Sequence, residues 1–285
     1  MEANNIANKY QPYSNLFSGV PLSLDEKPFI IGGANAPEAY APYMAGLIFG
    51  EHVRHIMCGG SIIAENLVLT AAHCIEALIV ENGVLVSRSL FKDLKARTFG
   101  SNTWNSGGTV ENVKNYIMHP DWDSRNIKHD IGVVILAESL ELSELVTIIP
   151  LDFDFAEGDE RVFVTGWGVT APKNDGCINL ASIPYELQLL YMRTLNHEKC
   201  QKQMTSVAGY LAPPIQKDIE ICTFHSYNHG MCRGDSGSPL VKAGSRKQIG
   251  IVSWGIPCAV GAPDVYVRIS GFKHFLGPIL KTYKD

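Results

Sequence analysis

An all-β fold of the antiparallel barrel or sandwich kind is predicted by three observations. Short apolar runs recur along the chain at strand length, β-branched residues are enriched in them, and Gly, Pro, Asn and Asp separate them. With 285 residues the chain can build one large β domain or two smaller ones, each around its own core.

Taken in order, residues 1–29 are polar, rich in Asn, Pro and Ser, and without periodicity, so they read as an extended leader. They hold no cysteine and no apolar core of a secretory signal. The expected strands follow as APYMAGLIFG, GGSIIAENLVLTAAHC, VENVKNYIMHP, DIGVVILAE, RVFVTGWGV, LQLLYMRTL, IEICTF, SPLVKAG, KQIGIVSWG and PDVYVRIS. Residues 75–96, with their Arg, Lys and Asp, read as an elaborated surface loop, the alternative being an exosite. The exception to strand spacing is 270–283, where Phe272, Phe275, Leu276, Ile279 and Leu280 recur at helical intervals behind Ser270 as N-cap. Gly277-Pro278 interrupts that pattern.

Composition narrows the function classes. A formal charge of −5 gives no electrostatic reason to expect nucleic acid or an anionic membrane as partner. The longest apolar runs are strand-sized, too short to cross a bilayer as a helix. Seven cysteines point to an oxidising compartment and leave one over after pairing.

Three short segments carry chemistry: Thr70-Ala71-Ala72-His73-Cys74, His129-Asp130-Ile131-Gly132-Val133 and Gly234-Asp235-Ser236-Gly237-Ser238-Pro239-Leu240. Alone, each has a bland explanation: a core histidine, a cap before a buried strand, a tight turn. Together, in the order His, Asp, Ser, they suit nucleophilic catalysis. A serine hydroxyl holds its proton near neutral pH; an imidazole can remove it, and a buried carboxylate can fix the imidazole's tautomer.

With those motifs the chain resembles the chymotrypsin and trypsin family from Ile30 to near the C-terminus. The resemblance implies two antiparallel Greek-key β-barrels with the active site between them, plus a C-terminal helix: 1–29 as leader, 30–142 as first barrel and 143–285 as second. It implies a catalytic triad of Ser236, His73 and Asp130, and an oxyanion hole from the backbone N–H groups of Gly234 and Ser236. It pairs Cys58 with Cys74, Cys200 with Cys222 and Cys232 with Cys258, leaving Cys177 as a free thiol or an intermolecular link. Ser253, Trp254 and Gly255 resemble the edge strand that pairs with a substrate backbone.

Ile30-Ile31-Gly32-Gly33 resembles the N-terminus these enzymes gain when a propeptide is cut. The freed ammonium of Ile30 would pair with Asp235, so the intact chain is expected to be a zymogen. The bond to be cut, between Phe29 and Ile30, departs from the usual basic pattern, and Pro28 protects Lys27. An activator accepting an aromatic residue is expected, the mature enzyme itself included. Export follows from the family, through a signal that is removed or absent here or by another route.

Specificity is read at Gly230, Gly255 and Asp264. Gly230 stands where a trypsin-like enzyme carries Asp, Gly255 leaves the pocket mouth open, and Asp264 replaces the family's Gly. The combination resembles invertebrate chymotrypsin-like and collagenolytic proteases. Large apolar side chains are the first expectation, with Asp264 bonded into the wall; broad specificity including basic residues is the second. Partners would be protein or peptide substrates, proteinaceous inhibitors and an activating protease; the chain is expected to act as a monomer and to need no cofactor. His52 with His55, and His225 with His229, lack metal-ligand spacing, and 98–113 holds only Glu111 as an acid, so no metal site is expected. No Asn-x-Ser/Thr acceptor is present. A catalytically silent homologue acting as a binding protein is the alternative; an α/β-hydrolase esterase is excluded by the reversed residue order.

Overall fold

A computed structural model of the chain describes residues 30–49, 55–81, 84–90, 94–98, 103–104, 106–170, 183–209, 212–256 and 258–283. The expectations placed on residues 1–29, Phe29 among them, on Cys177, on His52 and on the side chain of His55 lie outside what is described.

After β1 (Ala34–Asn35), strands β2 (Met44–Phe49), β3 (His55–Ala64), β4 (Leu67–Thr70), β7 (Leu94–Thr98), β8 (Thr109–Met118) and β9 (Gly132–Leu136) close a six-stranded antiparallel barrel in the order β2-β3-β4-β9-β8-β7. Its packed interior is clearest at β4 and β9, every residue of which is buried. The second sheet holds β10 (Arg161–Gly166), β11 (Gln188–Leu195), β12 (Glu220–Phe224), β13 (Pro239–Lys242), β14 (Gln248–Gly255) and β15 (Asp264–Arg268). It runs β11-β10-β13-β14-β15-β12, and the pairing of β12 with β11 curls its ends together. β1 joins this sheet, with Ala34 opposite Leu189, so the entering segment crosses to the second half of the molecule.

The strands read from the sequence correspond to β2–β4 and β8–β15, but three expectations are corrected. Residues 75–96 are not simply a loop. They form a hairpin, β5 (Glu76–Glu81) with β6 (Val84–Leu90), and lead into β7, which the barrel needs to close. Leu-Lys-Ala-Arg-Thr at 94–98 does alternate with period two, but two basic residues in five disguise it. Strand spacing also hides a helix, α1 (His197–Ala208). Asn196 caps it by accepting from the Lys199 N–H at 2.9 Å, and it buries Cys200 and Met204, one turn apart. Finally, Ser270 caps nothing. It lies in a 3₁₀ turn, Ile269–Phe272, that buries both ends of its own sequence, and its hydroxyl is buried without a hydrogen-bond partner. Helix α2 (Lys273–Tyr283) follows and runs through Pro278, burying Leu276 and Ile279. No helix among the described residues is long and apolar enough to cross a membrane.

Disulfides Cys58–Cys74, Cys200–Cys222 and Cys232–Cys258 bridge separations of 16, 22 and 26 residues. Loops of that size are stabilised by about 3 kcal/mol each in the chain-entropy account. The first tethers the turn that follows β4; the third straddles the turn that holds Ser236.

Candidate active site

Register sets the first part of the site. Thr70 of β4 lies opposite Gly132 of β9, so the residues just beyond the one and just before the other meet at the same end of the barrel. There His73 sits in a 3₁₀ turn, Ala72–Cys74, and its Nδ1 lies 2.8 Å from Asp130 Oδ2. The His73 backbone N–H donates to Asp130 Oδ1 at 2.9 Å, and the Ser253 hydroxyl donates to Oδ2 at 2.6 Å. Asp130 is 1% exposed, whereas His73 keeps 32% of its side chain in contact with solvent. Burial disfavours the imidazolium, but the Asp130 charge and hydrogen bond outweigh it and raise the pKa of His73 above the ordinary 6.5.

Ser236 reaches the same place from the second sheet. The Gly59 N–H donates to the Ser236 carbonyl at 2.7 Å, and the Gly237 N–H donates to Val252 at 2.8 Å, next to Ser253. Gly237 has φ 81°, and a Cβ there would meet Thr70 Oγ1 at 2.2 Å and the Gly59 carbonyl at 2.3 Å. Only glycine lets the serine turn come this close to β3 and β4. Gly234, at φ 98°, is likewise left-handed. The hydrogen-bond chain runs Ser253, Asp130, His73 and stops there: the Ser236 hydroxyl does not bond His73, whose Nε2 has Cys74 Sγ at 3.7 Å. Resting sites often show such a gap, which tightens when substrate docks.

Asp235 points the other way, into the second sheet, and is fully buried. Its Oδ1 accepts from the Gly168 N–H at 2.8 Å and its Oδ2 from the Cys232 N–H at 3.0 Å. Burial pushes its carboxyl up to about 7 despite those two bonds, and among the described residues no cation is bonded to it. Gly166-Trp167-Gly168 is a cradle: a Cβ on Gly168 would meet the carboxylate at 2.3 Å. The doubled glycine is visible in the sequence, but its role requires knowing where Asp235 points. Ile30 is also fully buried, within the second sheet's core, and its φ of 39° is strained for a β-branched residue. Ile31 bridges to Gly230, whose N–H donates to the Ile31 carbonyl at 3.0 Å.

The three pocket positions are brought together. Asp264 is 7% exposed, and its Oδ2 accepts from the Met231 N–H at 3.1 Å. A Cβ on Gly230 would lie 2.8 Å from Oδ2, and one on Gly255 would lie 3.7 Å from Oδ1. The carboxyl therefore occupies the space that the missing side chain at 230 leaves open. Burial pushes it up to about 8 against the Met231 bond, with nearby Asp235 adding to the rise. Gly255 and Trp254 close β14 opposite Asp264 and Val265. His225 and His229 stack with ring centroids 4.4 Å apart and share the Ser226 hydroxyl. The group of candidate metal ligands among the described residues joins His73 to Cys58 and Cys74, whose sulfurs are bonded to each other.

A family model described as Trypsin matches residues 30–276. The chain is 34% identical over 248 residues to "Chymotrypsin-2" of Vespa crabro, covering 85% of this chain and 96% of that protein. It is 32% identical to "Trypsin epsilon" of Drosophila erecta, covering 87% and 86%, and 29% identical to "Trypsin alpha-4" of Lucilia cuprina, covering 85% and 90%. The match begins at Ile30, takes in both sheets and includes every residue of the hydrogen-bonded constellation just described. This chain belongs to the trypsin family of serine endopeptidases.

Proposed function

We propose that Ser236 is the nucleophile, His73 its base and Asp130 the group that orients the base, and that the enzyme is made as a zymogen and acts outside the cell. Ser236 Oγ attacks the peptide carbonyl while His73 Nε2 takes its proton. The carbonyl oxygen becomes an oxyanion held by the N–H groups of Gly234 and Ser236. His73 returns the proton to the departing amine, leaving an acyl-enzyme that water hydrolyses by the same route in reverse. The observation that carries this reading is the chain Ser253, Asp130, His73, lying beside a serine turn that the Gly59 N–H holds in place. A fluorophosphonate probe should label the protein cleaved before Ile30 and neither the intact chain nor Ser236→Ala. Equal labelling of the intact chain would end the zymogen reading.

Activation is supported by a buried carboxyl at Asp235 that has no cation bonded to it among the described residues and by a buried, strained Ile30. Cutting the bond to Phe29 releases the constraint on φ at Ile30 and creates an ammonium able to neutralise Asp235. Phe29→Arg should transfer activation from a chymotrypsin-like activator, the enzyme itself included, to trypsin.

Cleavage after Phe, Tyr, Leu or Met is the favoured specificity, because Asp264 is bonded to the Met231 N–H and uncharged near neutral pH. The same residue favours a second reading, broad specificity that admits basic residues, since above about 8 its carboxyl ionises against an open pocket. A panel of chromogenic peptides differing at the residue before the scissile bond separates them; cleavage confined to Arg and Lys at pH 7 rejects the first. Protein inhibitors would dock as extra strands on Ser253-Trp254-Gly255, as substrates do.

A further inference from the structure

We infer that the buried pair Lys128 and Glu220 is a latch between the two halves of the molecule that sets Trp254 for extended peptides, so that both are positioning residues. This rests on the reading of Asp130 and of the edge strand Ser253-Trp254-Gly255 given above.

Lys128 Nζ donates to both oxygens of Glu220, at 2.7 and 2.8 Å, and the side chains are 7% and 5% exposed. The same carboxylate gathers two more donors. Its Oε1 accepts from the indole N–H of Trp254 at 2.8 Å, and its Oε2 from the Gln216 N–H at 2.6 Å. Lys128 Nζ also lies 5.1 Å from the centroid of the Trp254 ring. Thus the loop before β9, strand β12 and strand β14 meet at one anion.

The placement of these residues in the chain is what makes the latch relevant to the reaction. Lys128 stands two residues before Asp130, and Trp254 directly follows Ser253, whose hydroxyl bonds Asp130. Two neighbours on β14 are therefore tied to one short loop, Ser253 directly through Asp130 and Trp254 through the Glu220 carboxylate that Lys128 holds. The loop is bent to allow this. Ile127 and His129, flanking Lys128, have φ of 52° and 56°, and the turn closes through reciprocal backbone bonds between Asp123 and Lys128 at 3.0 and 3.1 Å. A left-handed isoleucine persists only where its surroundings over-determine it. An exposed lysine could have sat on a relaxed turn; a lysine driven under Trp254 could not.

A buried ion pair contributes little net stability, because desolvation offsets attraction, so its use here is directional. With its N–H held by Glu220, the indole cannot turn. It offers one flat face to residues that precede the scissile bond in a peptide laid along β14. Binding of those residues is then coupled to alignment at Ser236 instead of being absorbed by motion of the ring.

The test compares two substrates sharing one residue at the cleavage point, a small ester and a tetrapeptide anilide, on the protein cleaved before Ile30. Lys128→Met combined with Glu220→Leu removes the pair without leaving a lone buried charge. The charge swap Lys128→Glu with Glu220→Lys keeps a pair but takes away the acceptor for the indole. Both should retain ester acylation of Ser236 within about 2-fold, while the tetrapeptide's advantage in kcat/KM falls about 10- to 100-fold. Lys128→Arg, which keeps a cation on Glu220, should retain most of it. A parent-like ratio of tetrapeptide to ester rates in either folded double variant overturns the latch. A parent protein that the ester never acylates overturns the catalytic reading, and the latch with it.

Discussion

Asp130 and Asp235 are both buried carboxylates, 1% and 0% exposed, yet they are satisfied in opposite ways. Asp130 meets the His73 N–H, the His73 ring and the Ser253 hydroxyl, one of which can take up positive charge. Among the described residues Asp235 meets two neutral backbone N–H groups and no cation, and its carboxyl rises to about 7. Burial is similar; the donors differ. The first region thus holds a donor able to carry positive charge, while among the described residues the second holds none.

The largest test of that contrast is Asp130→Asn. The amide keeps the packing but favours the wrong imidazole tautomer, and kcat of the cleaved enzyme should drop on the order of 10⁴-fold, as in the family's template case. An effect below about tenfold would mean His73 does not depend on Asp130.

Next in size is the pH dependence of stability. A carboxyl that titrates at 3.8 when unfolded and about 7 when folded costs the folded state about 4 kcal/mol once ionised. The sign follows from the raised folded value: stability from this group is fully present below 3.8 and is lost as pH rises towards about 7. Denaturant midpoints of the intact chain should therefore fall between pH 4 and 8, and Asp235→Asn should flatten the slope. Cleavage before Ile30 should flatten it too, by supplying a cation. If intact and cleaved proteins show the same slope, Asp235 is not the waiting partner.

Asp264 gives a smaller, more specific effect. Its carboxyl should ionise near pH 8, so the ratio of Arg to Phe cleavage should climb through that pH by about tenfold, roughly the worth of one partly screened charge. Asp264→Asn should leave the ratio flat. Smallest is the shift in the acid limb of kcat/KM. Because Asp130 raises His73, that limb should fall above 6.5 in the parent and move to lower pH in whatever activity Asp130→Asn retains.

Much of this site is local chemistry and could be read in the chain. His73 beside Cys74, Asp130 ahead of an apolar strand, and Ser236 between Gly234 and Gly237 declare themselves because each needs particular neighbours. Strand spacing likewise announced β2–β4 and β8–β15. What stayed hidden was non-local. β7 carries two basic residues and becomes a strand because the barrel must close; α1 carries only a cap and two buried residues to mark it. Lys128 and Glu220 lie 92 residues apart, and each alone looks like an ordinary solvated charge.

By itself the sequence determined which candidate residues the chain carries and in what order they come, since such motifs depend on residue type and immediate neighbours. Only the tertiary structure decided where charge is balanced. Whether a carboxylate meets an imidazole, an ammonium or nothing but amides depends on which segments fold against it, and the pattern along one segment cannot report the donors on another.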